Sequence, residues 1–154
     1  MATSLSGGAG NDLVIPDNAA VEIIAPAAND GIALVEIESE VSDINLSVGG
    51  DAPVKVQGDA VKNSVVRPVA AAGETAEIVF QTTKVEGVTI VNEGEGAVDI
   101  EVATGTFKSG TIDLTGSSGA DTDAISFGED TKLVKSDIIL GESSELNFDT
   151  KKID

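Results

Sequence analysis

Residues Val54–Val66 read VKVQGDAVKNSVV. The stretch is an apolar–x–apolar pair, a four-residue polar link, one apolar residue, a Lys, and an apolar ending. The same thirteen-residue order returns at Ile78–Ile90 (IVFQTTKVEGVTI) and Ile100–Ile112 (IEVATGTFKSGTI), with Glu in place of Lys in the first of these. It returns again, with two extra residues in the link, at Ile125–Ile139 (ISFGEDTKLVKSDII). A pair of Lys and a small polar residue marks three copies, at Lys62–Asn63, Lys108–Ser109 and Lys135–Ser136.

Weaker copies extend the series in both directions. The leading apolar residues are Val14, Val35, Val54, Ile78, Ile100, Ile125 and Leu146, at intervals of 21, 19, 24, 22, 25 and 21 residues. Two short strands per roughly twenty-residue repeat predict an all-β β-solenoid, a β-helix-like stack of coils. One coil cannot bury its inward Val and Ile side chains alone; stacking sets each against its equivalent in the next coil. An antiparallel β-sandwich or jelly roll also places short strands at such spacing. The recurrence of link length together with the Lys–polar pair favours the coil. Leu146–Phe148 repeats the start of Ile125–Phe127, so one further repeat opens there.

The chain of 154 residues predicts a single β domain, residues 1–154, with 1–12 as a flexible N-terminal arm. The core must be aliphatic, because Phe80, Phe107, Phe127 and Phe148 are its only aromatics. The formal net charge is −18, and nine acids precede the first base, Lys55. Such a surface repels phosphates and anionic lipid, so neither nucleic acid nor membrane is an expected partner. Glu36, Glu38 and Glu40 alternate along one predicted strand and would share its face. No run of apolar residues is long enough to span a bilayer, and no signal peptide is visible. With no Cys there is no disulfide.

Residues Gly7–Ile15 read GGAGNDLVI, and this matches the nonapeptide G-G-x-G-x-D-x-U-x. The segment resembles the calcium-binding repeat of RTX-type secreted proteins. That resemblance implies a glycine turn offering carbonyl oxygens, a carboxylate from Asp12, and Val14 pointing into a β-roll. Gly7, Gly8, Gly10 and Asp12 are the matching positions. A degenerate copy at Ser118–Ser126 (SGADTDAIS) keeps Gly119, Asp123 and Ile125 but has Asp121 where the family has Gly. Candidate calcium ligands are therefore Gly8, Gly10 and Asp12, with Asp121 and Asp123. In that family each ion lies between adjacent turns, so a single copy supplies half a site, and Ca²⁺ takes six to eight oxygens. The turns SGTIDLTGSSGAD and KSDIILGESS also loosely resemble β-repeat structural proteins of marine bacteria and their phages.

Catalysis has few candidates. Without His or Cys there is no imidazole base and no thiol nucleophile. Lys108–Ser109 and Lys135–Ser136 are sequence neighbours, which places them on opposite faces of a strand. The expectation is a non-catalytic structural protein. The first reading is a virion accessory protein decorating or cementing a phage capsid, as a homo-oligomer such as a trimer. The alternative is an extracellular calcium-binding, RTX-like surface or adhesion module.

Overall fold

The computed structural model describes residues Thr3–Ser6, Asp12–Ile15, Val21–Ile24, 33–48, 54–116 and 122–149. These residues form fourteen strands and no helix. In chain order the strands are β1 (Thr3–Ser6), β2 (Asp12–Ile15), β3 (Val21–Ile24), β4 (Ala33–Ser42), β5 (Asn45–Val48), β6 (Val54–Lys62) and β7 (Val65–Pro68). They continue as β8 (Thr75–Glu86), β9 (Thr89–Val91), β10 (Ala97–Lys108), β11 (Thr111–Asp113), β12 (Asp123–Val134), β13 (Asp137–Ile139) and β14 (Ser144–Phe148). Odd strands make one seven-stranded sheet in the order β1-β3-β5-β7-β9-β11-β13, and even strands make the other. Every pairing is parallel, and each strand lies beside the strand two places on. This is a β-solenoid: a sandwich of hairpins would pair neighbouring strands antiparallel. Six steps of about 4.8 Å make a stack on the order of 29 Å long.

The core is a set of vertical ladders between the sheets. Val54, Ile78, Ile100, Ile125 and Leu146 are in register. Two positions along, Val56, Phe80, Val102, Phe127 and Phe148 form a second ladder. The short strands contribute Leu46, Val66, Ile90, Ile112 and Ile138. Ile78, Ile90, Ile100, Ile112, Ile125, Phe107 and Phe127 are completely buried. At about 2 kcal/mol for each such side chain, the ladders are the main favourable term.

The corner from each long strand to its short one is built alike. Asp43, Asn63, Gly87, Ser109 and Lys135 occupy it with φ of 61°, 47°, 64°, 51° and 48°. A left-handed residue there turns the chain in one step. The backbone N–H of Asn63, Gly87 and Ser109 donates to the carbonyl of Glu86, Lys108 and Val134, one coil further on. Where the next residue is Ser, its hydroxyl completes the corner. Ser64 Oγ accepts from Ile44 N at 3.1 Å and Ser136 Oγ from Gly110 N at 3.2 Å.

Several expectations need correction. The leading residue of the second copy is Ala33, which pairs with Val54; Val35 pairs with Val56. Ala is a faint apolar mark, and Ile37 prolongs the alternation past it. Leu13, not Val14, shares a register position with Val35. In the fourth copy Ile138, not Ile139, lies beside Ile112, because a register shift in β12 absorbs one extra residue, not two. Lys135 therefore matches Ser109 at the corner, and Lys108 matches Val134. A register shift between Ile37 and Glu40 also interrupts the stretch holding Glu36, Glu38 and Glu40. Apart from these corrections, Thr3–Ser6 is β1, parallel to β3.

Candidate functional site

Of the residues singled out for calcium, Asp12 and Asp123 lie among those described. Gly7, Gly8, Gly10 and Asp121 lie outside those described. Asp12 opens β2, its Cα paired with that of Leu34. Asp123 opens β12 and is 1% exposed. Its Oδ1 accepts from Val98 N at 2.9 Å, and Ser144 Oγ lies 3.4 Å from Oδ2. Its own N–H donates to Ser143 O at 3.0 Å. The carboxylate ties β10, β12 and β14 together where the coil begins. Among the described residues no group of three or more acids is placed to hold a metal ion.

The remaining ionic groups are surface features. Glu86 accepts from Lys108 Nζ at 2.8 Å and lies 2.5 Å from Lys84 Nζ. Hydrogen bonds from Lys108 and then Lys84 lower its pKa to about 2. Glu77 and Asp99 are register neighbours on β8 and β10. Partial burial raises both, and the charges of Asp99 and Glu101 raise Glu77 further. Arg67 joins Glu93 at 3.1 Å and also donates to Asn45, bridging neighbouring coils. Ser136, a nucleophile candidate with Lys135, has its hydroxyl engaged by Gly110 N and Val134 O. A cavity of about 10 Å³ between the sheets is lined by Ile44, Leu46, Val56, Val61, Ser64, Val66 and Phe80. That is about the room of one water, far below a ligand pocket.

The feature that stands apart is the C-terminal rung, β13 and β14. One rung below, Ile112, Leu114, Ile125 and Phe127 are all 0% exposed. On the last rung the same ladders come to the surface. Ile138 and Leu146 are only partly buried and Phe148 is 38% exposed; Leu140 is 40% exposed, and Ile139, 44% exposed, continues the outer-face position of Asp113. Phe148 stacks on Phe127 with ring centroids 5.3 Å apart and planes 10° apart, and Phe127 meets Phe107 edge-on at 6.2 Å. β13 and β14 are also the outermost strands of their sheets, so their outward backbone groups have no strand beyond them among the described residues. Repetition in the sequence marked Leu146–Phe148 as the start of a further repeat. It gave no sign that Ile139 and Leu140 are exposed too, because exposure there depends on what is stacked above.

No protein-family model, curated protein or solved structure matches this chain.

Proposed function

We propose that this chain is a non-catalytic structural protein that works by docking, and that the assembly it serves is a virus particle, as a decoration or cementing protein of a phage capsid. The observation that carries the reading is the C-terminal rung. Its interior ladders end on the half-buried Ile138 and Leu146 and the exposed Phe148, on the outermost strand of each sheet among the described residues. An exposed apolar rung with unpaired backbone is a template for a protein partner, by strand addition and burial of the ladder ends. The strongly acidic remainder, at −18 overall, keeps the rest of the surface soluble and turned outward. The hydroxyl, carboxylate and ammonium groups described above serve corners and coil-to-coil bonds, which supports a structural role over a catalytic one.

Two measurements test this. Mass spectrometry of purified particles should detect the chain in stoichiometric amount. Particles lacking it should rebind the wild-type protein and fail to rebind Phe148→Asp. Absence from every particle preparation, or equal rebinding by the variant, would overturn the proposal.

A further inference from the structure

One flank of the stack carries a line of cations that the fold does not need. We propose that the second halves of the long strands form a binding face for a linear acidic polysaccharide with a carboxylate on each sugar. The face lies apart from the C-terminal rung and is tested independently of the docking reading.

Val61, Val85, Phe107 and Leu133 are buried and in register, so the residues on either side of each belong to the outer rows. One row is Ala60, Lys84, Thr106 and Lys132; the other is Lys62, Glu86, Lys108 and Val134. Lys62, Lys84, Lys108 and Lys132 therefore supply one ammonium per coil, alternating between the rows, at a rise of about 4.8 Å per coil. Lys135, at the last corner, adds a fifth. All five are exposed or half-exposed. Residues 60–63, 84–87, 106–109 and 132–135 thus hold five of the nine bases and one of the twenty-seven acids, +4, against −22 for the rest of the chain. Including the links before them (57–59, 81–83, 103–105 and 128–131), with Asp59, Glu129 and Asp130, still leaves +1 against −19. The preceding coil ends the series with Glu40 and Asp43. None of these Lys is dictated by the fold: the same rows accept Ala60, Thr106 and Val134, and the left-handed corner takes Asn63, Gly87 and Ser109.

The make-up of the face selects the partner. One ammonium per rung suits a linear polyanion whose charges repeat at about 4.8 Å, close to the length of one sugar in an extended chain. Between the Lys lie Asn63, Gly87, Thr106 and Ser109, small groups or groups that hydrogen-bond to sugar hydroxyls. The ring of Phe107 is buried, so the face offers no stacking platform for nucleic-acid bases. The large exposed apolar residues among those described, Val69, Ile139, Leu140 and Phe148, all lie elsewhere, so the face lacks the apolar anchor of a protein interface. Lys is a mobile point charge rather than a rigid fork, which tolerates a repeating ligand in several registers. The Debye length is about 8 Å at physiological salt, so a chain lying on the face feels the ammonium line more than the acids beyond it. Glu86 belongs to the face as well. Its two oxygens hold Lys84 at 2.5 Å and Lys108 at 2.8 Å, so it competes with an incoming carboxylate.

Calorimetric titration of the full chain with polygalacturonate, in chelator and low salt, tests this. The expected result is saturable binding that weakens as NaCl is raised, with none to neutral dextran. Lys108→Gln combined with Lys132→Gln should weaken it at least about threefold. Lys55→Gln combined with Arg67→Gln makes the same change in net charge on other sides of the coil and should leave it unchanged. Glu86→Gln should strengthen binding, because the competing carboxylate is gone. Far-UV circular dichroism checks that each variant is folded. No binding at low salt, equal loss in both double variants, or weaker binding by Glu86→Gln would each overturn the proposal. Tighter binding of duplex DNA or of polyglutamate than of polygalacturonate would overturn it too, by assigning the face to a different class of partner.

Discussion

Phe127→Ala tests whether stability in this molecule is held rung by rung. Phe127 is completely buried, with Phe148 stacked at 5.3 Å on one side and Phe107 edge-on at 6.2 Å. Removing a buried Phe costs about 3–5 kcal/mol in transfer and cavity terms. The two ring contacts add about 0.5–1.5 kcal/mol each where their geometry is kept. Phe148 is already 38% exposed, so the last rung can settle into the gap, and the lower part of that range, about 3 kcal/mol, is the expected loss.

Where the loss falls matters more than its size. Each coil touches only the coils above and below, so stability is close to a sum of rung and interface terms. The loss should therefore be confined to β12–β14 and their contact with β10. Hydrogen exchange read by mass spectrometry should show peptides in 123–149 opening faster by about two orders of magnitude, the equivalent of about 3 kcal/mol. Peptides in β6 and β8 should exchange as in the wild type. A uniform acceleration along the whole chain would refute the rung-by-rung picture. A change below about 1 kcal/mol would mean that Phe127 is not packed as described.

Three further outcomes are expected. Thr82 is 0% exposed and its Oγ1 has no hydrogen-bond partner, so Thr82→Val should raise stability by about 1 kcal/mol in urea unfolding; a loss of that size would show that the hydroxyl is satisfied. Asp123→Asn keeps an acceptor for Val98 N but not the charge assistance, so it should lower stability by about 1 kcal/mol equally in calcium and in chelator; a loss seen only with calcium would make Asp123 an ion ligand. Stability should respond to acid in two opposed ways. The Glu86 carboxylate, at about 2 when folded against 4.5 unperturbed, contributes stability above 4.5 that is lost as pH falls toward 2. Glu77 and Asp99 have raised values, so the folded state holds their protons more tightly and gains stability as pH falls through them. Glu77→Gln should accordingly raise the thermal midpoint at pH 7 and lose that advantage in acid, whereas Glu86→Gln should lower it at pH 7; the opposite signs would refute the assignment.

The sequence carried the β-solenoid through repetition at two scales, the thirteen-residue unit and the spacing near twenty. The ladder from Val54 to Leu146 is legible because Val and Ile recur in both. The corner at Lys62–Asn63 is legible because a polar residue recurs where the chain takes a left-handed step. What spacing cannot reveal is where an added residue goes. In β12 it is absorbed inside the strand, which moves Lys135 onto the corner and Ile138 into the ladder. The depth of Asp123 was equally hidden. A glycine–aspartate turn reads as solvent-exposed until β14 is laid beside β12, where Ser144 Oγ meets the carboxylate and Ser143 O accepts from the Asp123 N–H.

The same regularity constrains what an end-docking protein can use to choose its partner. Parallel backbone bonds and aliphatic ladders are alike from one coil to the next, so by themselves they would accept any strand, including those of unrelated chains. Discrimination must come from side chains that differ between rungs. On the last rung that group is Phe148, the exposed end of a ladder in which Phe80 and Phe127 alternate with Val56 and Val102. A partner must supply a surface that covers one ring face and the flanking Leu146, while the acidic flanks repel chains of like charge that approach off-axis. Phe148→Leu separates the two contributions. It preserves an apolar ladder end and open strands, so general stickiness should survive it. Selectivity between the cognate partner and an unrelated edge strand should fall, and equal loss of both would place the specificity elsewhere.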